Sequence, residues 1–295
     1  MSVSSSRLVE EQYTLRTAIV PVVLQRAATI EGGGGAPGPS YDTDALDYFT
    51  RAEALGGSFD LSGISGTYTE SYVKTAISDF VAGCKTDSIW TKITEAYLLS
   101  GVTFSGVLAK LKHGGTAALT NVNFVSGDYL AAGSGAGVTS AATKQLNTGY
   151  SFTSLLNSHM GVYSTKTQSS GFAPSLRIGG SPRVNVVYRT TVMNYEYAGF
   201  SPSYNGAASN GQGYYVATRG SATDFRAYRN ASVDATVTAS NTGDNTGTVS
   251  LFDSSIGAAF CASFAHVGPA LSAGEVSLLS TRVNALMTAI GANVY

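Results

Sequence analysis

Two cysteines, one tryptophan and seven prolines are few for 295 residues, and only 13% of the chain is charged. Cys84 and Cys261 are too few and too far apart to form a disulfide framework or a cysteine zinc site, so both are expected to be buried thiols. Basic and acidic residues, 18 against 19, nearly cancel, which excludes a nucleic-acid binder working through a basic surface. Sparse charge also sets the chain apart from a disordered tail. No apolar run near the start approaches the roughly 20 residues that span a bilayer. The longest there, Ala18 to Leu24, contains Pro21. Met1 to Arg7 is serine-rich and leads into Glu10 and Glu11 rather than an apolar stretch, so neither a secretion signal nor membrane insertion is expected. Synthesis in a cytoplasm is the corresponding expectation.

What the chain has in quantity is glycine, 34 residues, and tyrosine plus phenylalanine, 17 and 12, within a 43% hydrophobic composition that can bury a sizeable core. The first boundary is the run Gly32 to Gly35 followed by Ala36-Pro37-Gly38-Pro39-Ser40, an extended linker. It sets off a head whose apolar residues Ile19, Val20, Val22, Val23 and Leu24 cannot bury themselves in so short a segment. That head must dock, either as an edge strand on its own chain's domain or onto another subunit. Residues 1–40 are therefore read as a docking segment with its linker, 41–93 as a helical segment, and 94–295 as a sandwich with a closing helix.

Asp42 or Thr43 can cap a first helix carrying Ala45, Phe49, Ala52 and Leu55 and stopped by Gly56-Gly57. Thr67-Tyr68-Thr69-Glu70 has the T-x-x-E spacing of a capping box, ahead of Val73, Ile77, Phe80, Val81 and Cys84 on one face. Trp90, flanked by Ile89 and Ile93, reads as a packing anchor. From about Thr94 to Val267, period-two segments predict half-buried strands around residues 159–163, 183–189, 213–219, 224–229, 248–252 and 259–264. Many short strands without intervening helices predict a mainly β, two-sheet antiparallel sandwich. Ser272-Ala273-Gly274-Glu275, a second capping box, opens an amphipathic C-terminal helix.

Chemistry is sparse. The acids between Leu130 and Gly268 are Glu196, Asp224, Asp234, Asp244 and Asp253, with no same-face pair along one strand for glycoside hydrolysis. His113, His159 and His266 form no metal or nucleophile motif. The glycine runs lack the lysine of a phosphate loop. Asn241 to Gly247 is oxygen-rich, as a calcium loop is, yet it holds one carboxylate and turn preference favours a polar hairpin tip. No catalytic residue, cofactor or metal is expected. One cluster stands out: Tyr195, Tyr197, Phe200, Tyr204, Tyr214 and Tyr215, among small polar neighbours. Such rings suit saccharide or protein recognition, yet strand-rich sandwiches bury many tyrosines, and core or subunit packing is the favoured reading.

Several stretches, in order, form a pattern. Asp42-Thr43-Asp44-Ala45, Arg51 to Gly57, Val73 to Ile77, Phe80 to Gly83 and Thr86 to Ile93 come first. Leu146 to Tyr150, His159 to Ser164, Tyr228-Arg229-Asn230, Leu271 to Glu275 and Met287 to Gly291 follow. Together, over about residues 42 to 291, they resemble a module common in virion proteins of tailed phages, including its N-T-G-[YF] and H-x-x-x-Y strands and its Y-R-N-G hairpin. Two features depart from that pattern: Ala231 replaces the hairpin glycine, and Leu98 to Gly101 is less aromatic than usual. The resemblance implies a laminin-G or concanavalin-like jelly roll in a fibre, baseplate or decoration protein, and supplies no catalytic site. It yields the expectation of a virion structural protein, made in the host cytoplasm. The tail or baseplate fibre reading has residues 1–40 bound to other virion proteins, a homo-oligomeric assembly, and a host surface glycan as partner. A capsid decoration protein and a glycan-degrading tail enzyme are the alternatives.

Overall fold

The computed structural model describes residues 39–167, 172–178, 184–189, 192–196, 204–208, 210–238, 247–252 and 260–295, with Tyr195 the one side chain described between 168 and 209. The candidate docking residues Ile19, Val20, Val22, Val23 and Leu24 lie outside them, as does most of the Asn241 to Gly247 loop. Among the described residues are α1 (Thr43–Ala54), α2 (Glu70–Thr86) and α3 (Ala273–Ala289). The strands, in chain order, begin with β1 (Glu95–Leu98), β2 (Thr120–Val122), β3 (Tyr129–Leu130), β4 (Gly137–Thr139) and β5 (Gln145–Ser151). There follow β6 (Ser158–Ser164), β7 (Phe172–Ile178), β8 (Val184–Arg189), β9 (Val192–Glu196) and β10 (Tyr204–Ala208). The last are β11 (Gly213–Ser221), β12 (Asp224–Arg229), β13 (Ser232–Val237), β14 (Thr248–Leu251) and β15 (Cys261–Gly268).

The strands form two antiparallel sheets, the mainly β sandwich that the alternation predicts and that the resemblance implies as a jelly roll. One runs β13-β12-β11-β6-β15-β4-β3, with β1 pairing the later residues of β15 while β4 pairs its first two. The other runs β10-β9-β8-β7-β14-β5-β2. They face each other, β6 toward β7 and β11 toward β8.

Local signals explain the helices. Asp42 caps α1 by accepting the Asp44 N–H at 2.9 Å, and Ala45, Tyr48, Phe49 and Ala52 make its buried stripe at helical spacing. The box expected from Thr67 does not form. Thr69 is the N-cap of α2, accepting from the Tyr72 N–H, and Glu70, now the first helical residue, bonds Lys74 one turn on at 2.5 Å. The Ser272–Glu275 box does form: Glu275 Oε2 accepts the Ser272 N–H at 2.7 Å and Ser272 Oγ accepts the Glu275 N–H at 3.3 Å.

The helices cover the first sheet. Phe80 of α2 meets Phe264 of β15 edge-on with ring centres 5.4 Å apart, and Arg282 of α3 grips Asp87 at 2.7 Å and 3.1 Å. Trp90 is buried against Phe80, and its indole N–H donates to Asp44 at 2.6 Å. The central strands correct the half-buried reading: every residue of β6 and β15 is buried, and so are the first seven residues of β11. The second sheet lies over one face and the helices over the other, so polar residues of β6 and β15 must satisfy one another. Cys84 and Cys261 are free, buried thiols. At the β12–β13 turn, Asn230 and Ala231 sit at φ +50° and +68°. Alanine here adopts the left-handed conformation that glycine takes at lower cost.

Candidate functional site

Three polar side chains meet under the helices at the centre of the first sheet. His159 of β6, His266 of β15 and Tyr214 of β11 are all inaccessible to solvent. Gly161 makes room for them, since a Cβ there would fall 2.1 Å from His266 Nε2. The proton positions follow from the partners. The Pro269 carbonyl can only accept, so His159 Nδ1 donates to it at 2.6 Å. His159 Nε2 is then the acceptor for the His266 Nδ1 proton at 2.8 Å, and His266 Nε2 accepts the Tyr214 hydroxyl proton at 2.5 Å. Both rings are neutral and every ring nitrogen is paired. Burial pushes His159 down to about 4 and His266 well below the usual histidine range, the His159 ring adding to the latter. The same burial pushes the Tyr214 hydroxyl up. With no route for a substrate, the chain does structural work: it fixes Pro269, where β15 turns toward α3.

A second polar cluster joins the two sheets. Lys110 and Glu95, both without side-chain exposure, pair at 2.8 Å. The ammonium also donates to the Thr148 carbonyl at 2.5 Å and Thr116 Oγ1 at 3.2 Å, so its three protons are used, and Glu95 Oε1 accepts the Gly114 N–H at 2.8 Å. Glu95 belongs to β1 in one sheet and Thr148 to β5 in the other.

The tyrosines singled out from sequence divide. Tyr195, Tyr214 and Tyr215 are buried. Their hydroxyls are engaged as well: Tyr195 donates to Asp234 at 2.8 Å and Tyr215 to the Gln212 carbonyl at 2.9 Å. None of the three turns a ring face to solvent, so in this fold they pack the sandwich. Tyr204 lies in β10 with its side chain outside the description, and Tyr197 and Phe200 are outside the described residues. Among the described residues, no group of three or more His, Cys, Asp or Glu is placed to hold a metal. No helix among them is long and apolar enough to cross a membrane.

Sequence reasoning passed over a pocket of about 170 Å³ where the helical cover ends. Its walls are Thr218 and Gly220 of β11, Asp224, Arg226 and Tyr228 of β12, and the entry to α3 from Leu271 to Ala273. Asp224 Oδ1 pairs with Arg226 Nε at 3.0 Å, both side chains about half exposed. Thr218 Oγ1 secures α3 by accepting the Leu271 N–H at 2.9 Å. The alternation Asp224, Arg226, Tyr228 on one strand face was the available signal. That α3 closes the pocket from some 45 residues away was not readable from periodicity.

No family model and no curated protein matches the chain. Among solved structures it is similar to domain 4 of AbnA, a GH43 extracellular arabinanase from Geobacillus stearothermophilus in complex with arabinotriose. That match has 13% identity, 64% of this chain and 98% of that one covered, and a TM-score of 0.38. A botulinum neurotoxin type C structure concerned with cell entry through two ganglioside molecules is 10% identical over 66% of this chain and 52% of its own, TM-score 0.45. A mutant Trypanosoma rangeli sialidase displaying trans-sialidase activity is 11% identical over 72% of this chain and 39% of its own, TM-score 0.42. The chain thus spans about half of the matched toxin chain and well under half of the matched sialidase chain. At these scores and identities the likenesses carry no argument about ligand or activity.

Proposed function

We propose that this chain is a non-enzymatic structural protein of a tailed-phage particle, a tail or baseplate fibre. Residues 1–40 hold it to other virion proteins, and its sandwich is displayed outward as part of a homo-oligomer, where it meets host surface glycan. The observation that carries this reading is the ordered run of module motifs from residue 42 to 291 together with where those residues sit. Asp44 accepts a hydrogen bond from the Trp90 indole N–H, Asp87 binds Arg282, His159 holds Pro269, and Ser272 and Glu275 cap α3. The shared residues are thus the joints between helices and sheet, as expected where a scaffold rather than a reaction is what related chains have in common.

The test is incorporation. A chain lacking residues 1–40 is expected to remain soluble and folded while disappearing from purified particles of its source, as read by immunoblot and by immunogold labelling of intact particles. Unchanged incorporation of the shortened chain contradicts the anchoring claim.

A further inference from the structure

We propose that Lys110 and Glu95 condense within the folded chain to an isopeptide bond, a covalent modification that rests on their own geometry and is independent of the display reading. Both side chains are without exposure, and Lys110 Nζ stands 2.8 Å from Glu95 Oε2. The carboxyl carbon is one bond beyond that oxygen, close to the near-attack range of about 3–3.5 Å. Neither partner is free to drift. Glu95 is fixed in β1 opposite Val267 of β15. The Lys110 N–H donates to the Ala117 carbonyl at 3.0 Å, and the Lys110 carbonyl accepts from Arg51 Nη1 at 2.5 Å.

Opposite charges held together in a dry site are also a pair of reactants. A proton passing from Nζ to Oε2 leaves an amine beside a carboxylic acid and removes both charges from surroundings that solvate neither. The amine lone pair then attacks Glu95 Cδ, and negative charge gathers on Oε1, which already accepts the Gly114 N–H at 2.8 Å. The Nζ–Cδ bond forms, a second nitrogen proton moves to Oε2, and the Cδ–Oε2 bond breaks to release water. The last ammonium proton stays on the amide, where the Thr148 carbonyl, 2.5 Å from Nζ, accepts it. No oxidant or cofactor enters the balance. Tyr97, two residues along β1 and so on the same strand face, brings its hydroxyl beside the Glu95 carboxylate. Burial, and then that carboxylate, hold the hydroxyl well above the usual tyrosine range, so it remains a proton donor for the departing oxygen. Exclusion of bulk water from the site disfavours the reverse step.

Intact-mass spectrometry of the full chain tests this. Folded protein kept at neutral pH is expected to convert to a species lighter by one water. Chymotrypsin, which cuts after Tyr97 and Phe104 between the two residues, is expected to leave the flanking peptides joined through Glu95 and Lys110. Lys110→Arg keeps the positive charge, removes the amine, and is expected to hold the full mass of its sequence. A chain kept in concentrated urea is expected to do the same, because the pair is no longer held together. Tyr97→Phe is expected to slow the conversion about tenfold or more, and an unchanged rate overturns the donor role of Tyr97. The cross-link itself is overturned if the folded chain keeps its full mass, if Lys110→Arg loses water equally, or if the joint maps to other residues. The digest of the unaltered chain decides between these results even where a variant fails to fold.

Discussion

The first sheet is two different environments along one hydrogen-bonded ladder. At its centre, β6 and β15 are buried along their whole length, and His159, His266, Tyr214, Glu95 and Lys110 have no exposure at all. Toward its edge, β12 alternates, with Arg226 exposed beside buried Phe225 and Ala227, and β13 leaves Val233 60% exposed. The difference is the helical cover, which reaches as far as the entry to α3. Under it, polar groups can only pair with one another, so they become architecture. Past it, a similar stock of polar groups faces solvent and is available to a partner. Polarity on a strand therefore says little about function until the cover is known.

The sharpest way to break this comparison is to unbalance the covered half. Glu95→Ala strands the Lys110 ammonium in a dry site and is expected to lower the unfolding free energy by about 3–5 kcal/mol. Urea unfolding measures it, and a loss below about 1 kcal/mol, the range of an exposed pair, would mean the cluster is hydrated.

Acid is a gentler probe of the same half. In the unfolded chain the histidines take up protons near pH 6.5, whereas in the fold His159 resists protonation until about pH 4 and His266 resists it further. The unfolded state therefore binds more protons across that window, so the stabilisation is complete above about pH 6.5 and is lost as pH falls toward 4. For His159 alone the loss is on the order of 3 kcal/mol. Asp87, which the Arg282 guanidinium holds below the usual carboxylate range, acts only at lower pH. Urea midpoints between pH 7 and 4.5 check the slope, and a flat profile would show that the rings are already charged or solvated in the fold.

Much of the covered half's secondary structure was legible. The Asp42 and Ser272 caps and the buried stripe of α1 follow from local chemistry, as does the alternation at the start of β12. The start of α2 was not, because Thr67 and Thr69 offer equivalent hydroxyls and only the backbone geometry selects Thr69. Half-burial was misjudged for β6 because His159, Gly161 and Tyr163 imitate a solvated face. Their partners, His266, Pro269 and the C-terminal Asn293 and Val294, lie more than 100 residues away. The tyrosine cluster was open from sequence, since rings next to glycine and serine suit a recognition surface and a packed core, and local pattern alone does not show that Tyr195, Tyr214 and Tyr215 are interior. The pocket escaped because its polar wall is continuous in sequence while its lid is not.

The most direct test sets a covered and an uncovered polar side chain of the same sheet side by side, Tyr214→Phe and Arg226→Ala, each assayed by urea unfolding. If cover decides role, Tyr214→Phe leaves His266 Nε2 unpaired and lowers stability by about 1–3 kcal/mol. Arg226→Ala, which breaks the half-exposed pair with Asp224, changes it by a small fraction of that. Equal stability losses in the two would contradict the account.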